Sequence, residues 1–260
     1  MAKKPTWVID KERGKRAAAA ETIWLFGLHA VRDALANPDR QVLRLVTLLN
    51  AQGKLSEAIA ARGIEPEIAD PRKFPVPLDE GSVHQGAAVE VKPLDWGDWR
   101  ALARGDGAAR SVVVMLDRVS DPHNVGAILR SAEVFGATAV IAPARHSAPE
   151  TGALAKTASG ALERMPYARV GNLGDAMEAL KADGFWMVGL AEEGAAPIDE
   201  VARHHRESHI ALVLGAEGPG LRERTRGLCD ELAKVPFARD FGSLNVSNAA
   251  AVALYALTNS

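Results

Sequence analysis

The stretch DRVSDPHNVGAILRSAEVFGATAVIAP (residues 117–143) has the order of a strand–helix–strand unit. The buried strand SVVVMLD leads into it, NVGAILRSAEVFGA has the spacing of a helix, and AVIAP predicts the next strand. A dinucleotide-binding unit carries G-x-G-x-x-G at this turn, and those glycines are missing. The sequence therefore predicts parallel strands joined by a helix, with a turn that holds something other than a pyrophosphate.

The same alternation of strands and helices continues to the end of the chain. Helices are predicted at ALAKTASGALERM, NLGDAMEALKADG and LNVSNAAAVALYAL, and strands at FWMVGLA, ALVLGAEG and ELAKVPF. Continuous apolar strands separated by helices are typical of an α/β fold with a parallel sheet covered on both faces. Ligands of such sheets bind at the carboxyl ends of the strands, and the most unusual loops of this sequence lie there.

Changes in composition divide the chain into four segments. Residues 1–20 form a basic flexible tail that either contacts phosphates or is simply solvated, and residues 21–92 form a small α/β domain. Residues 93–110 are interpreted as a linker, and residues 111–260 form the domain with the parallel sheet. Trp96 and Trp99 of the linker are expected to pack on a domain rather than to stack on a base.

Composition limits the possible settings and partners of the protein. The 260 residues are 47% hydrophobic and carry a net charge of -2, so any contact with nucleic acid depends on local basic patches. The single cysteine, Cys229, forms no intramolecular disulfide, which favours the reducing cytoplasm. No apolar run approaches the roughly 20 residues of a membrane span, so no membrane partner is expected.

The turn DPHNVGAILRS (residues 121–131) contains the first group of candidate site residues. Pro122 biases Asp121 away from helical conformation, Asn124 is a candidate cap, and Gly126 permits close approach of another segment. Arg130 follows in an otherwise apolar helix and favours a functional role over a surface one. It lies about 120° around the helix from Asn124, so the two side chains converge only if Arg130 reaches back.

Two further groups follow strands near the C-terminus. In LVLGAEGPGLRE, Glu217 lies in a glycine-rich loop, either as a turn residue or as an anchor for polar groups. In SLNVSNAAAVALY, Ser243 or Asn245 is expected to cap the last helix. Ser247 and Asn248 add more small polar side chains than one cap needs, and these are candidates for lining a pocket.

These groups carry a resemblance to a known family. The segments PHNVGAILRSAEVFG, LVLGAEGPGL and SLNVSNAAAVALY, in this order, resemble the three signature motifs of the SpoU-type (TrmH-like) RNA 2'-O-ribose methyltransferases of the SPOUT class. The upstream domain, with HQGAAVEVK, resembles the L30e-like substrate-binding domain of the bacterial 23S rRNA guanosine 2'-O-methyltransferases. The resemblance covers about residues 22–258.

The resemblance implies a deep trefoil knot, S-adenosylmethionine as cofactor, and a homodimer with each active site near the subunit interface. By the same carry-over, the catalytic residues are Asn124, Arg130, Glu217, Ser243 and Asn245. The implied cofactor-binding residues are Leu214, Gly215, Gly218, Val235, Leu244 and Ser247. The reaction needs no metal, and the clustered His204, His205 and His209 do not form the zinc motif H-E-x-x-H.

The implied function is methylation of a ribose 2'-oxygen in RNA. The HQG segment and the separate N-terminal domain favour a guanosine in the peptidyl-transferase region of 23S rRNA as the target. A tRNA ribose methyltransferase and a noncatalytic RNA-binding assembly factor remain as alternatives, and the missing glycines disfavour a nicotinamide enzyme. Arg222, Arg224 and Arg226 are candidates for phosphate contacts, or else they solvate a helix.

Overall fold

The computed structural model describes residues 22–78, 82–105, 107, 109–238 and 244–259. The chain divides into two compact units, Met1–Leu94 and Asp95–Ser260. The predicted basic tail, residues 1–20, lies outside the described residues. Within the described ranges, no helix is long and apolar enough to cross a membrane.

The N-terminal unit is a small α/β domain built on a four-stranded sheet in the order β1-β4-β2-β3. Its elements are β1 (Ile23–Phe26), α1 (Leu28–Ala36), β2 (Val42–Thr47), α2 (Leu49–Arg62), β3 (Glu67–Ile68) and β4 (Ala87–Val91). Strand β4 runs antiparallel to β1 and β2, whereas β3 runs parallel to β2. Helix α2 ends at Gly63, whose φ of 68° is in the region that favours glycine.

The segment His84-Gln85-Gly86 forms the corner before β4, and each residue has a structural role there. The His84 ring stacks on Phe74 with ring centroids 4.2 Å apart, and His84 Nδ1 accepts the Gly86 N–H at 3.1 Å. Gln85 Oε1 accepts the Leu28 N–H at the start of α1, at 3.0 Å. Because the fold itself uses these three residues, the segment is a weaker indication of the RNA target than the sequence suggested.

The C-terminal unit is built on seven parallel strands in the order β7-β6-β5-β10-β8-β11-β9, which confirms the predicted parallel sheet. The strands are β5 (Val112–Asp117), β6 (Ala139–Pro143), β7 (Tyr167–Val170), β8 (Phe185–Leu190), β9 (Ala196–Pro197), β10 (His209–Gly215) and β11 (Glu231–Lys234). The helices are α3 (Trp99–Arg104), α4 (Pro122–Val134), α5 (Gly152–Ala158), α6 (Leu173–Ala182), α7 (Ile198–His204), α8 (Glu223–Leu228) and α9 (Val246–Thr258).

The two central strands, β5 and β10, determine where the site lies. Both are apolar along nearly their whole length and buried, as expected for parallel strands with both faces covered. Their register pairs Ile210 with Val112 and continues to Gly215 with Asp117. The loops that follow Gly215 and Asp117 therefore begin side by side at the carboxyl edge of the sheet, although they are far apart in the sequence.

The segment interpreted as a linker, residues 93–110, differs from that interpretation because it contains α3. Ala103 is fully buried in the core of the C-terminal unit, and Trp99 and Leu102 pack against the same core. Asp98 caps the helix by accepting the Arg100 N–H at 3.0 Å. A helix of six residues makes fewer than two turns, which is too short for its apolar period to be recognised in the sequence.

The predicted helix ALAKTASGALERM is also interrupted. Helix α5 ends at Ala158, and Ser159 and Gly160 follow with φ angles of 52° and 91°. A short 3₁₀ helix then covers Ala161–Glu163. The apolar residues on both sides of the break are buried, so their spacing resembled one continuous helix although the backbone turns between them.

A buried ion pair fastens the glycine-rich loop after β10 to the end of β5. The Asp117 side chain is fully buried, and its Oδ1 accepts the Arg222 Nε–H at 2.6 Å. Asp117 Oδ2 accepts the Arg222 backbone N–H at 3.0 Å. Both carboxylate oxygens are thus paired with the residue that closes the loop.

Replacing Arg222 with alanine is expected to destabilise the protein. Removing one partner of a fully buried pair costs about 3–5 kcal/mol, and the loss here should be smaller, about 2 kcal/mol, because the Arg222 side chain is 45% exposed. The free energy of unfolding in urea measures it. The control is Arg206→Ala, whose exposed pair with Glu207 should contribute less than about 1 kcal/mol. Equal losses in the two variants would contradict the role given to Asp117.

Candidate active site

The loop after β5 leads directly into α4. Asp121 has extended backbone conformation before Pro122, and its carboxylate accepts the His123 N–H at 3.0 Å, so Asp121 is the N-cap. The prediction that Asn124 caps this helix is wrong, because the helix already begins at Pro122. Asn124 lies inside the first turn, only 6% exposed, and its side chain is available for contacts other than capping.

The Asn245 side chain joins the three predicted motifs. Of the two predicted caps of α9, Ser243 and Asn245, it is Asn245 that caps the helix, because its Oδ1 accepts the Ser247 N–H at 2.9 Å and the Ser247 hydroxyl at 2.5 Å. Its Nδ2 donates to Asn124 Oδ1 at 2.9 Å and to Glu217 Oε1 at 2.5 Å. The structure therefore brings together Asn124, Glu217, Asn245 and Ser247 from loops that follow different strands.

The Ser247 contact also fixes the orientation of both amides. A backbone N–H only donates, so the Asn245 atom that faces Ser247 is the oxygen, and its NH₂ group must face Asn124 and Glu217. Asn124 then presents its oxygen to Asn245. Among the described residues no partner is found for Asn124 Nδ2, which leaves a donor at the centre of the cluster.

The glycine-rich loop after β10 folds back on itself and positions Glu217. The Gly220 N–H donates to Ala216 O at 2.9 Å, and the two residues form a β-bridge. A Cβ atom at Gly215 would lie 2.2 Å from the Gly220 carbonyl carbon, so only glycine permits this turn. The loop places Glu217 over the end of β10, beside the start of α9.

A cavity of about 770 Å³ lies beside this cluster. Five of the predicted cofactor-binding residues line it: Leu214, Gly215, Gly218, Val235 and Leu244. Glu217 and Asn245 line it as well, whereas Ser247, also predicted to bind the cofactor, contacts Asn245 instead. The cavity thus connects the predicted cofactor residues with two members of the predicted catalytic set.

Sequence reasoning missed a second wall of the cavity. It consists of Leu190, Ala191, Glu192, Glu193, Arg226 and Phe237. Glu193 forms an ion pair with Arg226, and hydrogen bonds from its own backbone and from Arg226 hold the pKa of its carboxyl group below the ordinary value. Parallel sheets bind ligands at the carboxyl ends of their strands, and Leu190 is the last residue of β8. This rule could have identified the wall from the sequence.

Of the predicted catalytic residues that the structure describes, Arg130 is not part of the cluster. Arg130 lies on the exposed side of α4, and within the described part of the chain its side chain has no ion pair or hydrogen bond. Its role therefore stays a prediction. Ser243 lies outside the described residues.

The other predicted charged groups have structural partners. Arg222 pairs with Asp117, Arg224 with Asp175, and Arg226 with Glu193. The clustered histidines are divided between the end of α7 and the start of β10. No three His, Cys, Asp or Glu side chains among the described residues are close enough together to hold a metal ion.

Comparisons with known proteins agree with this arrangement. Residues 111–255 match the SpoU rRNA Methylase family. The chain belongs to that family. Residues 24–96 match the domain described as RNA 2'-O ribose methyltransferase substrate binding. The resemblance found in the sequence is therefore confirmed, for the α/β domain with the site and for the N-terminal domain.

Relatives and solved structures extend the likeness over most of the chain. The chain is 38% identical over 245 residues to the 23S rRNA (guanosine-2'-O-)-methyltransferase RlmB of Photobacterium profundum, covering 89% of this chain and 95% of the relative. It is 35% identical to RlmB of Escherichia coli, covering 89% and 96%. The SpoU methyltransferase AviRb from Streptomyces viridochromogenes, solved with AdoMet, shares the fold with a TM-score of 0.77 at 24% identity, over 94% of this chain and 92% of that one.

Replacing Asn245 with aspartate separates its role in the cluster from its role as a cap. Aspartate caps a helix as well as asparagine does, but it cannot donate to Asn124 and Glu217 and adds a negative charge beside Glu217. Loss of such a preorganised donor should lower kcat for methyl transfer to RNA by about 100-fold or more. Thermal unfolding should change little.

The matched control is Asn172→Asp, because Asn172 caps α6 in the same manner, accepting the Gly174 N–H at 2.9 Å, away from the cluster. This variant should keep wild-type turnover. If the two variants have similar kcat values, Asn245 is a helix cap and nothing more.

Proposed function

We propose that this chain transfers a methyl group from S-adenosylmethionine to the ribose 2'-oxygen of a guanosine in 23S rRNA, in the peptidyl-transferase region. The observation that carries the proposal is the cluster of Asn124, Glu217 and Asn245 beside a glycine-lined cavity. The names of the RlmB relatives, which cover nearly the whole chain, support the choice of 23S rRNA and guanosine. The reaction takes place in the cytoplasm, where ribosomal RNA is modified.

The cavity fits a nucleoside cofactor in size and chemistry. Its volume of about 770 Å³ lies within the 300–1,000 Å³ range of small-molecule sites. Leu190, Leu214, Val235 and Phe237 offer apolar walls for a base, and the carboxylates of Glu192 and Glu193 offer acceptors for hydroxyl groups. When bound there, S-adenosylmethionine supplies an electrophilic methyl group.

The cluster positions the ribose. Asn245 fixes Glu217 and Asn124 in one geometry, so Asn124 Nδ2 is held as a donor for a ribose or phosphate oxygen. Glu217 uses Oε1 to accept from Asn245 and keeps Oε2 for the substrate. This arrangement aligns the 2'-oxygen with the cavity and requires no metal ion from the protein.

Arg130 acts on the phosphate beside the reacting ribose. A guanidinium group carries five N–H donors and no acceptor, so it is a poor proton acceptor and a good anion ligand. Its exposure and lack of partners among the described residues leave its donors available. Within one chain, however, it does not contact Asn124, Glu217 or Asn245.

A homodimer resolves this separation. Val134 lies one turn after Arg130 on α4 and is 69% exposed, and Val252 and Tyr255 of α9 are 42% and 60% exposed. The rings of Phe135 and Tyr255 contact each other edge to face, with centroids 5.9 Å apart, so the two helices share this apolar surface. A second copy on this surface covers it and brings Arg130 to the cluster of the other subunit. The proposal also includes the trefoil knot that the resemblance implies for the C-terminal unit.

Methyl transfer to isolated RNA tests the function. With labelled S-adenosylmethionine, 23S rRNA that lacks its own methylation should take up label on one guanosine ribose in the peptidyl-transferase region, located by ribose-methylation mapping. Total tRNA is the comparison, because label there would retain the chemistry and refute the substrate. Cofactor binding without transfer to either RNA would favour a noncatalytic assembly factor.

Heterodimers test whether Arg130 acts across the interface. Arg130→Ala and Asn245→Asp chains, each inactive as a homodimer, are co-expressed with different tags and purified as a mixed pair. If Arg130 serves the other subunit, each mixed dimer has one intact site and about half of the wild-type activity. If Arg130 serves its own chain, both sites of the mixed dimer are defective and activity stays absent. A monomeric wild-type protein in sedimentation would refute the dimer itself.

A further inference from the structure

Several exposed cations of the C-terminal unit differ from the rest in having no acidic partner. Arg118, Arg130, Arg145 and Lys156 are exposed, and none forms an ion pair within the described ranges. By contrast, Arg100, Arg164, Arg203 and Arg224 of the same unit each pair with a carboxylate. Although the whole chain carries a net charge of -2, these four side chains carry positive charge that no ion pair among the described residues compensates.

The strand register brings two of these cations to one edge of the sheet. Parallel strands β5 and β6 pair Met115 with Ile141, so both strands reach their carboxyl ends at the same level. Arg118 directly follows β5, and Arg145 lies two residues after β6. Neighbouring strands are about 4.8 Å apart, so the two residues follow neighbouring strand ends at the edge that carries Asn124.

The loop with Arg145 is held rigidly from below. The Tyr167 hydroxyl donates to Ala148 O at 2.8 Å, and Arg169 donates from Nη1 to Ala148 O at 2.9 Å and from Nη2 to Ala144 O at 3.0 Å. Ser147 donates to Pro143 O from a buried hydroxyl. Side chains of β7 thus hold the loop in place, and Arg145 and His146 remain exposed at its tip.

Two residues at this edge also have strained backbone conformations. Arg118 and His146 have φ angles of 61° and 62°, in the left-handed region that residues other than glycine rarely adopt. Such conformations persist where the surrounding structure holds them, and they are common at ligand-contacting positions. Neither residue is a glycine, so the protein has a basic side chain at each of these two strained positions.

Helix α5 adds the remaining cation beside the start of α4. A Cβ atom at Gly126 would lie 2.7 Å from Leu154 O, so the predicted close approach at Gly126 is to α5. His123 Nδ1 lies 3.1 Å from Thr157 Oγ1, and that hydroxyl already donates to Ala153 O. His123 therefore donates from Nδ1, and Lys156 lies next to Thr157 on the exposed side.

We propose that Arg118, Arg145 and Lys156, with His123 and His146, form a phosphate-binding track that holds the RNA backbone flanking the methylated nucleotide. The proposal rests on the proposed function, since it names the part of the same RNA substrate that this surface contacts. The carboxylates nearest in sequence are Asp117, Asp121 and Glu150; Asp117 is paired with Arg222, and Asp121 is engaged as the cap of α4. Because the cations contact phosphates and not bases, they contribute affinity and register rather than sequence preference.

The test measures RNA binding and turnover in three single variants: Arg118→Asn, Arg145→Gln and Lys156→Gln. Asparagine is chosen at position 118 because it tolerates a positive φ. Each variant should weaken binding to a 23S rRNA fragment about threefold to tenfold and raise KM to match, and the slope of log affinity against log salt should fall by about 0.7–0.9 for each lost contact. The kcat at saturating RNA and the affinity for S-adenosylmethionine should remain those of the wild type.

The matched control is Arg203→Gln, which removes the same charge from an exposed arginine that pairs with Asp199 on α7. It should leave RNA affinity and the salt slope unchanged. Equal effects in the control and the three variants, or a fall in kcat without a change in KM, would overturn the track. Direct RNA binding is measured without turnover, so a wild-type protein that transfers no methyl group refutes the proposed function and still leaves the track tested.

Discussion

The Asn245 side chain is the contact on which the site depends. Its oxygen accepts from Ser247, and its NH₂ group donates to Asn124 and Glu217, so all of its ordinary hydrogen-bonding positions are used. An amide with both ends satisfied cannot rotate without losing contacts at each end. The loops after β5 and β10 and the start of α9 are thereby held in one arrangement, and the cavity wall is fixed at the same time.

That contact is possible because of a constraint one level below it. Strands β5 and β10 pair in register to their carboxyl ends, and the ion pair between Asp117 and Arg222 closes the glycine loop at that position. The turn leaves no room for a Cβ atom at position 215, and Gly215 has none. The parallel sheet thus determines the position of the loops, the ion pair determines their closure, and the Asn245 amide determines the orientation of the polar groups.

The sequence predicted those parts of the structure that depend on local pattern. Buried apolar runs identified the strands of the parallel sheet, and the small polar residues before the last apolar helix narrowed its cap to Ser243 or Asn245, of which Asn245 is the one observed. Asn124 was predicted to cap α4 because asparagine is common at helix N-caps, but the N-cap residue is Asp121. The partner of Arg222 was not predictable in this way, since Asp117 is distant in sequence and pairs with it only once β10 lies beside β5.

A near-neutral chain can present a basic surface when its charges are sorted by partner. The arginines of residues 222–226 are conspicuous in the sequence, yet each forms an ion pair with a carboxylate. Arg118 and Arg145 are less conspicuous, and neither forms an ion pair among the described residues. This sorting separates two tasks on one sheet edge. Paired arginines stabilise the loops around the cavity, and unpaired ones remain available to a polyanion.

The chemistry of the cluster agrees with this division. Asn124 and Asn245 are neutral amides that orient a hydroxyl group, and the proton that the 2'-hydroxyl loses on methylation is left to Glu217 Oε2 or to water. The guanidinium of Arg130 offers only donors and is unsuited to accept this proton. Transfer to a 2'-oxygen therefore gains most from alignment, and alignment of a flexible RNA strand requires contacts on both sides of the reacting ribose. An exposed Arg130 and a rigid loop that carries Arg145 are placed where such contacts are needed.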